Sequence, residues 1–185
     1  MSISMKLIPP HRPSWQGVLA LIAVAAGARL LPHLPANFSP VGAMGLYAGA
    51  MLPGPWALAV SLTGLFLSDL VIGLYHPLTM LFVYAGLAAN VGLGLIVGRR
   101  QSGLAGTIIA AFMGAIIFFI LSNFGVWLAG EMYPLTTEGL RACYIAAIPF
   151  FGNTLTSQLL FSLVLFGAHR VMGFSAFRPQ SRERA

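Results

Sequence analysis

Arg29 and Asp69 each put an ionisable group inside an apolar stretch, near the end that points away from the basic clusters of the chain. Burying either charge alone in a bilayer costs several kcal/mol, so a salt bridge between the first and third helices is the economical arrangement. Such a pair either bolts two helices together or lines a cavity open to the outside. At the same level the sequence places His33, Asn37, Tyr75, His76, Thr79, Met80, Tyr84, Asn123, Trp127, Tyr133, Cys143 and Asn153. Arg29, Asn37, Asp69, Asn123 and Asn153 suit a polar floor and rim, while Tyr75, Tyr84 and Trp127 offer flat apolar faces to a ring-bearing ligand. His76, Met80 and Cys143 are the soft or borderline donors on that side, the groups that would contact a metal carried by the ligand. Trp127 and Tyr133 also fit an interfacial aromatic belt, and interhelical hydrogen bonds alone would satisfy the amides of Asn123 and Asn153.

The motifs that are missing narrow the chemistry further. There is no glycine-rich phosphate loop, no HExxH and no CxxC, and the whole chain holds 4 acidic residues. ATP hydrolysis is therefore excluded, and Asp69 alone does not make the cluster of carboxylates that a proton or sodium relay uses. Any uphill transport has to be powered by a partner. Cys143 is the single cysteine, which rules out an internal disulfide and a cysteine-only zinc site. Pairing it with His33 or His76 as nucleophile and base has no support in the sequence, so the expectation is a protein that is not an enzyme and has no cofactor of its own.

The elements that must position these groups are apolar spans, and a crossing helix needs about 20 residues at about 1.5 Å each. The spans read as Trp15 to Leu31, Val41 to Leu52, Trp56 to Leu74, Leu78 to Gly98, Leu104 to Leu128 and Ile145 to Val171, with Pro53-Gly54-Pro55 separating the second from the third. Val41 to Leu52 is short enough for a re-entrant segment. Parity still asks it to cross, because only then do Arg99 and Arg100 reach the cytoplasm. The basic leader and Ala26-Gly27-Ala28 mimic a signal peptide, but an uncleaved first span completes the charge pattern. Pro149 should kink the last helix, and Thr137 to Tyr144 reads as a short interfacial helix before it. Gly45 with Gly49, Gly94 with Gly98, and Ala23 with Gly27 each line one helix face for close packing, the last pair being also suited to docking a partner membrane protein.

Composition agrees with this layout: 58% of residues are hydrophobic, 8% are charged and the mean hydropathy is +0.86. Of the 10 basic residues, all but Arg29 and Arg141 fall in clusters at Lys6 and Arg12, at Arg99 and Arg100, and from Arg170 through Arg178, Arg182 and Arg184. Basic residues flanking apolar spans stay in the cytoplasm, so both termini are expected inside. The net charge of +6 thus reads as membrane orientation, and nucleic acid is excluded as a partner. The expected fold is an all-α integral membrane protein of six transmembrane helices over residues 1–174, with a polar, basic cytoplasmic tail over 175–185.

The stretch Arg29-Leu30-Leu31-Pro32-His33, followed by Pro35-Ala36-Asn37-Phe38-Ser39-Pro40-Val41-Gly42-Ala43, resembles the opening signature of a bacterial family of transport-type membrane proteins. Phe66-Leu67-Ser68-Asp69-Leu70, Ser122-Asn123-Phe124-Gly125-Val126-Trp127-Leu128, and Ala142 to Phe151 with Asn153-Thr154-Leu155 match it as well, so the resemblance spans most of the chain. That family is similar in size and six-helix layout to the substrate-binding S-components of energy-coupling-factor vitamin transporters, some solitary relatives of which are associated with cobalamin uptake. The resemblance implies a six-helix bundle with an outward-opening ligand cavity capped by external loops. Its cobalamin branch implies a cysteine ligand to cobalt near the start of the fourth helix, where this chain reads His76-Pro77-Leu78-Thr79-Met80.

The combined expectation is a bacterial inner-membrane, multi-pass protein that binds a vitamin or similar micronutrient for uptake, with cobalamin as the leading substrate. Its partners would be the lipid bilayer, a small-molecule substrate and an energising module of the energy-coupling-factor type. The alternative is a non-transporting membrane scaffold or assembly protein, in which the same polar residues only fasten helices together.

Overall fold

The computed structural model describes residues 15–30, 35–100 and 102–172, and these form α1 (Trp15–Arg29), α2 (Val41–Met51), α3 (Gly54–Ile72), α4 (Pro77–Arg100), α5 (Gly103–Ala129) and α6 (Thr137–Met172). His33, the leader with Lys6 and Arg12, and the tail 175–185 lie outside the described residues. Every apolar stretch read from the sequence is a helix. Four of them, α3 to α6, are long and apolar enough to cross a membrane. α1 and α2, at 15 and 11 residues, fall short of the about 20 that a crossing needs.

The helix ends follow local chemistry. Pro53-Gly54-Pro55 ends α2 and starts α3 with proline in its first turn, where the missing N–H costs nothing. α3 stops at Gly73, whose φ of +120° only glycine adopts without strain, and the Gly73 N–H caps the carbonyl of Asp69. Pro77 opens α4, and the His76 Nδ1 accepts the Leu78 N–H just inside it.

One expectation is corrected at the last helix. Thr137 to Tyr144 is no separate interfacial helix; α6 runs unbroken for 36 residues from Thr137 and continues through Pro149. Its start is fixed by Thr136, whose Oγ1 accepts the Gly139 N–H, so the chain is already helical before the apolar stretch begins.

The short α2 is the centre of the bundle. Residues from Ala43 to Gly49 are all buried, and α2 touches each of the other helices. Its approach to α4 is backbone against backbone: a Cβ on Gly49 would strike the Val91 carbonyl, and one on Gly94 the Leu46 carbonyl. The glycine pairs 45/49 and 94/98 are thus spent on packing, as small residues in lipid allow. The Ala23/Gly27 face differs, since Ala23 is exposed and Gly27 has open space where a Cβ would stand. Large apolar side chains such as Val71, Leu81, Ile109 and Val164 cover the outside, which suits a lipid solvent.

Candidate functional site

A cavity of about 290 Å³ opens among the last turn of α1, the loop before α2, the first turn of α2, and the facing parts of α3 to α6. Arg29 and Asn37 lie on its wall with Phe38, Leu87, Phe118 and Gln158, among others. Arg29 is the charged residue of that lining, and its place at the C-terminal end of α1 suits a cation.

Arg29 is held from behind. Its Nη1 donates to Asp69 Oδ1 at 2.6 Å and to Ser68 Oγ at 2.9 Å, with a longer approach of 3.5 Å to the Leu65 carbonyl. The ion pair expected between the first and third helices is therefore present, with the Asp69 side chain 1% exposed and that of Arg29 21%. Tyr84 from α4 donates its hydroxyl to Asp69 Oδ2 at 2.9 Å, so one carboxylate ties three helices. All bonds of Arg29 run through Nη1, which leaves Nε and Nη2 without an acceptor among the described residues. Asp69 is not on the cavity wall, and the wall therefore presents the cation while its counter-charge stays behind it. In the α3–α4 loop, the Tyr75 hydroxyl is pushed up to about 12, first by burial and then by the charge of Asp69, with Arg29 opposing.

The loop over the cavity is built from its own residues. Asn37 takes φ of +63°, a left-handed conformation that asparagine tolerates, and turns the chain where the Phe38 N–H meets the Pro35 carbonyl. Asn153 donates to the Ala36 carbonyl at 2.9 Å, and the Phe38 ring meets Phe161 edge-on at 5.8 Å, so α6 pins the loop at two points.

The remaining sequence candidates fall elsewhere. Tyr75, Tyr84 and Asp69 sit behind Arg29 and do not line the cavity, and Asn153 reaches it only through the loop. Asn123 folds back onto the Phe119 carbonyl of its own helix, Cys143 donates to the Asn123 carbonyl at 3.4 Å, and Trp127 donates to the Pro134 carbonyl. Cys143 and Trp127 thereby join α5 to α6 and its preceding loop. The proposed metal contacts do not gather: His76 is used at the start of α4, Cys143 on α5, and neither they nor Met80 line the cavity. Among the described residues no three histidine, cysteine or acidic side chains group as a metal site.

The sequence reading passed over Gln158 and Asn90. Asn90, fully buried on α4, donates through Nδ2 to the carbonyls of Gly86 and Gly114, and its Oδ1 accepts from Gln158 Nε2 at 2.8 Å. With both amide hydrogens of Asn90 used on carbonyls, Gln158 has to donate through nitrogen, which fixes its orientation. Its Oε1 then accepts nothing among the described residues and rests beside Gly42 on the cavity wall. The aromatic faces on the wall are Phe38 and Phe118 in place of Tyr75, Tyr84 and Trp127.

Chemically the site is a recess with one cation, several neutral polar groups and apolar walls, suited to holding a small amphipathic molecule. The family model DUF6580, described as a family of unknown function, matches residues 10–181. Comparison with curated proteins gives no match, and neither does comparison with solved structures.

Proposed function

The chain belongs to DUF6580, a family of unknown function, and from its site we propose that it is a substrate-binding membrane transport protein for uptake of a small micronutrient. The observation that carries this reading is the cavity with Arg29 on its wall, since an ionisable side chain placed at membrane depth normally faces a polar or functional space. Arg99, Arg100 and Arg170 belong to the opposite helix ends, which supports a cytoplasmic location for those ends and an outward mouth for the cavity. On this reading all the helices cross, α1 and α2 with help from their flanking segments, in a bacterial inner membrane.

The cavity also bounds the substrate. At about 290 Å³ it lies near the lower edge of the roughly 300–1,000 Å³ found for small-molecule pockets. Cobalamin, the substrate first implied by the family resemblance, is much bulkier than the ligands those pockets hold, and His76, Met80 and Cys143, the donors that would have met its cobalt, do not line the cavity. A single-ring or short-chain molecule fits better. Energising such uptake falls to a partner.

A scaffold role is favoured by one feature, the Asp69 carboxylate that fastens α1, α3 and α4 without touching the cavity. Thermal unfolding of the purified full chain against a panel of water-soluble vitamins separates the readings. A ligand present at about 100 times its Kd stabilises a binding protein by about 2.7 kcal/mol, a readable rise in Tm. If no member of the panel raises Tm and cells lacking the protein take up every member normally, the transport reading fails.

A further inference from the structure

We propose that the cavity is built for a small carboxylic acid that carries a hydrogen-bond donor at its far end, a refinement that rests on the transport reading above. The acid end is argued from Arg29. Nη1 is committed to Asp69 and Ser68, but Nε and Nη2 have no acceptor among the described residues, and the guanidinium faces a wall that has no carboxylate on it. A guanidinium edge with free donors fits a planar carboxylate, and the buried Asp69 fixes that edge before any ligand arrives.

The donor end is argued from Gln158, which is 3% exposed. Its Nε2 is committed to Asn90, and its carbonyl oxygen is left without a donor beside Gly42. Gln158 lines the cavity, so a ligand N–H or O–H could donate to that oxygen from the recess. The two groups are anchored to different helices. Arg29 is tied to α3, whereas Gln158 is tied to α4 and sits against α2. The same lining carries Leu87 and Phe118, apolar faces for a ring or short chain, together with the hydroxyls of Ser39, Thr154 and Ser157. Gly42 is required here, because a Cβ would drive into the Gln158 oxygen and turn it from the wall.

Three matched probes test this on the full-length wild-type protein in lipid nanodiscs, by calorimetric titration. The probes are 4-aminobenzoate, which has both ends, 4-aminobenzamide, which lacks the acid, and benzoate, which lacks the donor. The expected result is 4-aminobenzoate binding at least about tenfold more tightly than either of the others, a difference of about 1.4 kcal/mol. Arg29→Met should erase the preference for the acid over the amide, and Gln158→Leu should erase the preference for the amine while leaving the acid preference intact. Equal affinities for acid and amide overturn the inference but leave a binding cavity in place, and so does a failure of all three probes alongside a vitamin that still raises Tm. If no vitamin raises Tm and cells lacking the protein take up every one normally, the transport reading falls with it. The wild-type comparison decides the matter even where a variant does not fold.

Discussion

Removing Asp69 or Arg29 alone should harm the protein more than removing both, because each single substitution strands the charge of the other. Asp69 is 1% exposed and accepts bonds from Arg29 at 2.6 Å and Tyr84 at 2.9 Å. In Asp69→Leu the guanidinium keeps its charge, because arginine does not give up its proton in a protein. It then has only the Ser68 hydroxyl and the Leu65 carbonyl behind it. Breaking a buried pair from that side costs about 3–5 kcal/mol. In Arg29→Met the Asp69 carboxyl, 1% exposed, is left with Tyr84 as its donor, so breaking the pair from that side should also cost about 3–5 kcal/mol. The double variant Arg29→Met with Asp69→Leu leaves no charge stranded and should recover part of the loss, giving a coupling energy of about 0.5–3 kcal/mol. Reversible unfolding in mixed micelles, with all variants at one pH, measures the full cycle. Asp69→Leu within about 1 kcal/mol of wild type, or single losses that simply add, would refute the claim that this pair is the joint between α1 and α3.

The glycines should divide sharply: Gly94→Ala, whose Cβ would meet the Leu46 carbonyl, should unfold or strongly destabilise the bundle, whereas Gly27→Ala, with open space around it, should be neutral or stabilising by up to about 1 kcal/mol in the same unfolding assay. Cys143, buried and bonded to the Asn123 carbonyl, should resist a maleimide in the folded protein and react fully on unfolding, while Cys143→Ser should keep any ligand-induced rise in Tm. Tyr75, with its hydroxyl held up to about 12, should stay neutral through the physiological range. Because its folded value is raised, its contribution is intact below the ordinary tyrosine value near 10 and is lost as pH climbs from there to about 12. Tyr75→Phe should blunt that alkaline loss in an unfolding series across pH.

The helices were legible because lipid makes their signal simple. An apolar run broken by proline and glycine has no other stable form in a bilayer, and so Pro53-Gly54-Pro55 and Gly130 mark real ends. Arg29 and Asp69 were legible for the same reason, since two stranded charges must meet. The amides were not. Asn90, Asn123 and Asn153 look alike in the sequence, each a polar residue in an apolar helix, but Asn123 bonds its own helix, Asn153 a loop, and Asn90 its own helix, the α5 backbone and Gln158. Only the order in which helices neighbour each other separates these outcomes. The packing of α5 against both α4 and α6 that brings Gly114 and Gln158 to Asn90 is written in no single segment. Gln158 did leave a trace, as the one glutamine within the apolar run of α6.

The shortness of α2 explains why a cavity exists at all. At 11 residues it rises about 16 Å, while the hydrocarbon core is about 30 Å thick. Its neighbours α4 and α5, at 24 and 27 residues, are long enough to frame the whole depth. A central helix this short leaves a column above its first turn with no side chains of its own, and α4 cannot collapse into it while Gly94 and Gly98 already hold it against the α2 backbone below. The chain fills that column in part with the segment from Pro35 to Pro40, pinned by Asn153 and Phe161, and the remainder is the recess with Arg29 on its wall. Lengthening α2 at its N-terminus by one turn would therefore do more than stabilise a helix. It would push the loop outward, occupy the recess and detach Gln158 from its place beside Gly42, so a protein with that insertion should keep its fold and lose every ligand-induced rise in Tm. An insertion variant that still responds to ligand would mean that the binding space lies elsewhere in the bundle.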